Sequence, residues 1–140
     1  MALSARQIAL SRISAGDIFH ADGSTGSIRI CLAMSVNGER ILARNIPTQA
    51  IYEFDRSTGI AVRYFSSRPV YYTISSVATL PEDIRQILLK LDEKYREFEY
   101  RRAEDPEWEC PPDRIASTED ETRALDFTDD FYAAHPLPPP

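Results

Sequence analysis

Ser27-Ile28-Arg29-Ile30-Cys31-Leu32-Ala33-Met34-Ser35-Val36 is the stretch that decides the fold. Ile28, Ile30, Leu32, Met34 and Val36 fall on every second position, with Ser27, Arg29, Cys31, Ala33 and Ser35 between them. A strand sends successive side chains to opposite faces, so the stretch reads as the central strand of a small sheet, with one apolar and one mixed face. Asn37-Gly38 follows at once and is a hairpin signal, because both residues tolerate positive φ. Arg40 to Ile46 is then the return strand.

Working outward, Gly16 to Ala21 reads as a strand, and Asp22-Gly23-Ser24-Thr25-Gly26 as a turn cluster. Pro47 breaks the return strand, with a bend at Thr48-Gln49. Ala50 to Asp55 puts Tyr52 and Phe54 on one side. Arg56-Ser57-Thr58-Gly59 is a turn. Ile60, Val62 and Tyr64 alternate with Ala61, Arg63 and Phe65. After Ser66-Ser67-Arg68-Pro69 the alternation resumes at Val70, Tyr72 and Ile74. Short strands at this spacing suit a small barrel, and closure removes the exposed edges an open sheet would keep. Alternate side chains between positions 27 and 75 then line the inside, with Ile30 and Leu32 turned from water.

Three helices are expected. Ser4 and Gln7 form a capping box for a short helix over about residues 5–13, with Leu3 stapled on Ile8, Ile8 and Ile13 docked on the body, and Gly16 as its stop. Thr79-Leu80-Pro81-Glu82 caps a long helix from Pro81 to Arg102. Ile84, Ile87, Leu88, Leu91, Tyr95 and Phe98 make its apolar stripe, and Asp92–Arg96 and Glu97–Arg101 are i,i+4 pairs on its wet side. Residues 103–117 hold Pro106, Pro111 and Pro112 and read as a linker. Thr118-Glu119-Asp120-Glu121 opens a helix over 118–133, and Pro136-Leu137-Pro138-Pro139-Pro140 is extended polyproline.

The fold class is therefore α+β, a five- or six-stranded antiparallel SH3-like barrel over 16–80. It carries a short N-terminal helix within 1–15, a long amphipathic helix over 81–102 and an acidic, Pro-rich extension over 103–140.

The 140 residues are 43% hydrophobic, enough for a core and too much for global disorder. No apolar run reaches the roughly 18 residues of a membrane span, and the N-terminus lacks a secretory pattern. Cys31 and Cys110 are expected as free thiols in a cytoplasmic protein. The net charge of −6 is unevenly spread: residues 104–140 hold eleven acids and two bases, while residues 1–103 carry +3. An acidic tail on a mildly basic body points to self-association of the two or to separate partners.

Catalytic chemistry finds little footing. His20, Asp22 and Ser24 look like base, orienter and nucleophile, but turn chemistry explains them, and triads draw their members from separate elements. The two histidines and two cysteines match no metal-ligand spacing, and no phosphate-binding glycine loop is present, so no cofactor is expected. Arg29, Arg63 and either Arg40 or Arg44 lie opposite the apolar sides of their strands, where a cluster near Tyr71 would suit phosphate and base stacking. Scattered surface charges neutralised by Glu39, Glu53 and Asp55 are the simpler reading.

Gly16-Asp17-Ile18, the glycine turn, Arg29 leading into Cys31-Leu32-Ala33-Met34-Ser35, then Ile46-Pro47-Thr48-Gln49 and a final amphipathic helix resemble the PemK/MazF group of SH3-type barrels. The likeness covers residues 16–100, and Arg29-Ile30 stands where that family carries Arg-Pro. The family comprises toxin endoribonucleases that cut single-stranded RNA. The resemblance implies Arg29 as phosphate and transition-state contact and Thr48 as its partner.

The leading expectation is a non-enzymatic binding or regulatory module that acts through a protein partner or a second copy of itself. Leu125, Phe127, Phe131 and Tyr132, large apolar groups in an acidic segment, are its anchors, with Arg29 and Arg63 as further contacts. The tail is either that contact surface or a cover folded over its own barrel. The alternative is RNA binding or cleavage through Arg29 and Thr48, restrained by an acidic tail.

Overall fold

The computed structural model describes residues 3–23, 28–64, 72–104 and 118–139, with Ile28, Arg29, Arg63, Tyr64 and Arg102 described through the backbone only. The chain runs α1 (Ala5–Ser11), β1 (Ile18–Gly23), β2 (Ile28–Val36), β3 (Arg40–Asn45), β4 (Ile51–Asp55), β5 (Ala61–Tyr64), β6 (Tyr72–Ser76), α2 (Glu82–Glu104) and α3 (Glu119–Ala134). The six strands form one antiparallel sheet in the order β5-β4-β3-β2-β1-β6. It rolls almost shut: Ile60 bridges Thr73, and the Ile74 amide donates to the Gly59 carbonyl at 2.8 Å. The architecture is an α+β barrel.

Turn chemistry sets the strand ends. The Asn37 side chain accepts the amides of Glu39 and Arg40, both at 2.8 Å, so the β2–β3 hairpin is tied by an asparagine side chain. Neither Asn37 nor Gly38 has positive φ, so the residue pair marks the turn by a different mechanism from the one its sequence suggests. After β3, Gln49 takes φ +63° and the chain reverses past Pro47. After β4, Asp55 accepts the amides and hydroxyls of Ser57 and Thr58. Those bonds, the Ser57 hydroxyl first, hold its pKa down at about 2. Gly59 at φ +77° completes this turn against the closing seam, where a Cβ would meet Arg6 Nη2 at 3.2 Å. Asp22 and Gly23, read as turn residues, belong to β1; Ser24 to Gly26 lie outside the described residues.

The interior holds Phe19, Ile41, Tyr52, Phe54, Tyr72 and Ile74 against the small groups Ala21, Cys31, Ala33, Ala43 and Ala61. Leu10 and Ile13, from α1 and the residues after it, join that cluster. For β2 this corrects the expected phase. Cys31 and Ala33 are the inner residues, whereas Ile30 and Leu32 belong to a second, outer core. A barrel of six strands is narrow, and the rings from β1, β4 and β6 fill it, so the strand in the middle of the sheet supplies small side chains. A bulge between Ala33 and Ser35 then breaks the alternation, leaving Met34 37% exposed while Val36 packs on the inner core.

The outer core is roofed by α2 and α3, with Leu88, Leu91 and Tyr132 over Ile18, Ile30 and Ile46. Three sequence expectations change here. Asp92 faces inward at 2% exposure and pairs with Arg44, not on the wet side with Arg96. The Arg85 amide bonds the Pro81 carbonyl and α2 starts at Glu82, so Thr79 lies outside the helix. In α1 the Ser4–Gln7 capping box is formed, but Ile8 is 39% exposed and Leu10 takes the docking role. The helix ends at Arg12, and Gly16, at φ +93°, serves instead to bring the chain onto β2, its amide bonding Ala33 at 2.8 Å.

Candidate functional site

The anchor residues of the C-terminal segment separate into two sets on α3. Thr118 and Glu121 form a reciprocal cap, which fixes where the helix starts and which face turns inward. Ala124, Thr128 and Tyr132, four apart, are buried, and Leu125 and Phe131 pack beside them on the outer core. The Tyr132 hydroxyl donates to the Ile18 carbonyl at 3.1 Å, and burial pushes its phenol pKa up. Phe127 is 40% exposed and stacks on Phe131 at 5.8 Å and 22°, and Phe131 meets the His135 ring at 4.4 Å. Phe127, Phe131 and His135 therefore form an i,i+4 row, flanked by the exposed acids Asp126 and Asp130.

Beneath α3 lies His20. Ser75 Oγ lies 2.5 Å from Nδ1 of the ring and 3.2 Å from the His20 carbonyl, so it ties the ring to its own strand. Nε2 is buried and without a hydrogen-bond partner among the described residues, and Asp129 Oδ1 is in the same condition. Burial lowers the ring's pKa against the pull of Asp22 and Asp129, and burial raises that of Asp129. Asp22 Oδ1 lies 3.6 Å from Nδ1, and Ser24 is outside the described residues, so the turn residues form no described nucleophilic set.

The arginines are spent mostly on structure. Arg44 grips Asp92 through two bonds of 2.9 and 2.6 Å, and Gln49 adds a third at 3.0 Å. Arg40 lies 3.0 Å from Asp55 and 3.6 Å from Glu53, two of the acids expected to neutralise it. Arg6 reaches the carbonyls of Thr58, Ile74 and Pro138; Arg56 reaches those of Ser11, Ile13 and Asn37. Sequence reading missed these carbonyl clamps, because a guanidinium bound to backbone leaves no complementary residue type to find. The Ile46 amide donates to Ile30 at 2.9 Å, which sets the backbone of Arg29 beside the turn that carries Thr48. Arg63 is opposite Glu53 on β5, remote in strand order from Arg29 on β2. Thr48 is exposed, and its hydroxyl accepts the Ala50 amide at 3.3 Å.

Among the described residues no group of three His, Cys, Asp or Glu side chains could hold a metal ion, and no helix is long and apolar enough to cross a membrane. Cys31 is buried and in no disulfide among the described residues; Cys110 lies outside them. Set against protein-family models, curated proteins and solved structures, the chain matches none.

Proposed function

We propose that this protein is a non-enzymatic binding module, an SH3-like barrel that presents the outer face of α3 to a basic protein partner. One observation carries the reading: Phe127 stays 40% exposed on a helix whose other anchors are covered. A large ring left in water beside Asp126 and Asp130 supplies an apolar anchor inside a negative rim, which selects a partner with a pocket ringed by Lys or Arg. Phe127→Ser removes the anchor and gives up its stacking on Phe131, but leaves the buried Ala124, Thr128 and Tyr132 in place. The expected outcome is a cooperative melt lowered by no more than a few degrees, together with loss of those proteins that the full chain retains in affinity capture at moderate salt. If F127S retains the same proteins with equal yield, the reading fails. A second copy as partner would appear as concentration-dependent sedimentation that F127S abolishes.

A second reading, single-stranded RNA recognition through Arg29 and Thr48, draws on the adjacency of β2 and the β3–β4 turn. Its test is fluorescence anisotropy of a labelled RNA with the full chain at low salt. Binding that weakens with salt and is lost in Arg29→Ala supports it, and absence of binding removes it.

A further inference from the structure

A cavity of about 300 Å³ opens between the end of α1, the Val77–Leu80 connection and the first turn of α2. Its wall is apolar at Ile13, Val77, Ala78 and Leu80, and cationic at Arg12 and Arg85. The volume sits at the small end of the roughly 300–1,000 Å³ typical of small-molecule sites. Asp17 is the one acid in the lining, and its Oδ2 accepts the Ser14 amide at 2.8 Å. Arg85 is held at the rim, its Nη2 on the Gly16 carbonyl at 3.2 Å and its Nη1 at 3.6 Å from Glu82. Arg12 is exposed, and its guanidinium makes no hydrogen bond or ion pair among the described residues.

We propose that this cavity binds a small amphiphilic carboxylate, with the hydrocarbon part against Ile13, Val77, Ala78 and Leu80 and the carboxylate on Arg12 beside Arg85. The logic is complementarity of two kinds in one site. An apolar wall alone would take any oily molecule, and a pair of guanidinium groups alone would take any anion. Together they favour a ligand with a short chain and one anionic end, and the fork of Arg12 matches a carboxylate bidentately. Two guanidinium groups at the mouth discriminate against neutral ligands of equal length.

Octanoate and octanol, identical in chain length, separate the two contributions. The full chain, labelled with nitrogen-15, is titrated with each while amide shifts are followed. Octanoate is expected to saturate shifts at Ile13, Val77, Ala78 and Thr79 with a dissociation constant below about 1 mM, and octanol to bind at least fivefold more weakly. Arg12→Gln should weaken octanoate about five- to tenfold, leave octanol as it was, and leave the melting temperature unchanged because Arg12 supports no other group; a bidentate hydrogen-bonded charge of this kind is the stronger class of contact. Arg12→Lys should recover part of the loss. Equal affinity for the two ligands, indifference to R12Q, shifts that map elsewhere, or no saturation would each overturn the proposal.

Discussion

A carboxylate buried at 2% exposure on an amphipathic helix must find a cation, or the helix loses its seat. Asp92 finds Arg44, and the bidentate geometry with Gln49 as third donor fixes both the rotation and the height of α2 on β3. Burial alone would raise the Asp92 pKa, but the bonds from Arg44 and Gln49 outweigh it and hold it below the usual range. Asp92→Ala leaves the partly buried Arg44 unpaired and should cost about 3 kcal/mol in urea unfolding, the lower end for a buried pair, whereas the Arg44→Met, Asp92→Leu double variant should recover most of that. With its folded pKa depressed, Asp92 contributes stability above about pH 4 that is lost on acidification, so D92A should have a shallower acid limb. His20 acts in a different window. Its folded pKa is lowered, so the unfolded chain takes the proton first, and stability falls as pH drops below about 6.5. Asp129 has the opposite sign, being raised, so its ionisation costs stability as pH climbs above about 4. His20→Gln should flatten the stability profile between pH 7.5 and 5.5, measured by thermal melts at constant ionic strength; an unaltered slope would place the proton uptake elsewhere.

Among the elements, β2 is the best measure of what sequence can and cannot tell. Its strand character was legible from alternation, as were the hairpin after it, the bend at Pro47 and the placement of Tyr52 and Phe54 on one side of their strand. Which of its two faces looks into the barrel was not. That choice depends on Phe19, Phe54 and Tyr72, distant in sequence, having already filled the narrow interior, so the larger residues Ile30 and Leu32 go under the helices. β2 carries a contrast between an apolar and a mixed face, but in a strand covered on both sides that contrast does not say which face looks into the barrel. The same difficulty hid Asp92, whose partner sits 48 positions away, and the exposed Phe127, which composition cannot separate from Tyr132 five residues on. The inverted phase is testable by size. Ala33→Leu adds three carbons to a packed interior at a position 2% exposed and should cost about 1–3 kcal/mol, while Met34→Leu, one residue on and 37% exposed, should stay within about 0.5 kcal/mol. Equal costs in chemical denaturation would contradict the assignment of faces.

At the level of the whole chain, an acidic C-terminal segment on a mildly basic body suggests docking by charge, yet the contacts are of another kind. Among the described residues one ion pair, Lys94–Glu121 at 2.9 Å, joins α3 to α2. The rest is apolar or backbone. Tyr132 and Leu125 lie on the outer core, Leu137 packs on the inner one, the Leu137 amide donates to Ser75 at 2.8 Å, and Ser76 Oγ donates to the His135 carbonyl at 2.6 Å. The described part of the segment therefore behaves as part of the core, with Glu119, Asp120, Asp126 and Asp130 turned outward. Full burial of a large apolar side chain is worth about 1.5–3 kcal/mol. Losing Tyr132 together with the partly buried Leu125, Phe131 and Leu137 should then cost about 5 kcal/mol or more, comparable with the ~5–15 kcal/mol total of an ordinary domain. A chain ending at Ala103 should melt far lower or without cooperativity. In the full chain, raising salt from about 0.1 to 1 M collapses the screening length from about 10 to 3 Å and should leave the melting temperature nearly where it was, because hydrophobic docking is indifferent to screening. A truncated chain that melts like the full one, or a full chain that loses α3 protection from hydrogen exchange in high salt, would show that charge and not packing holds the segment down.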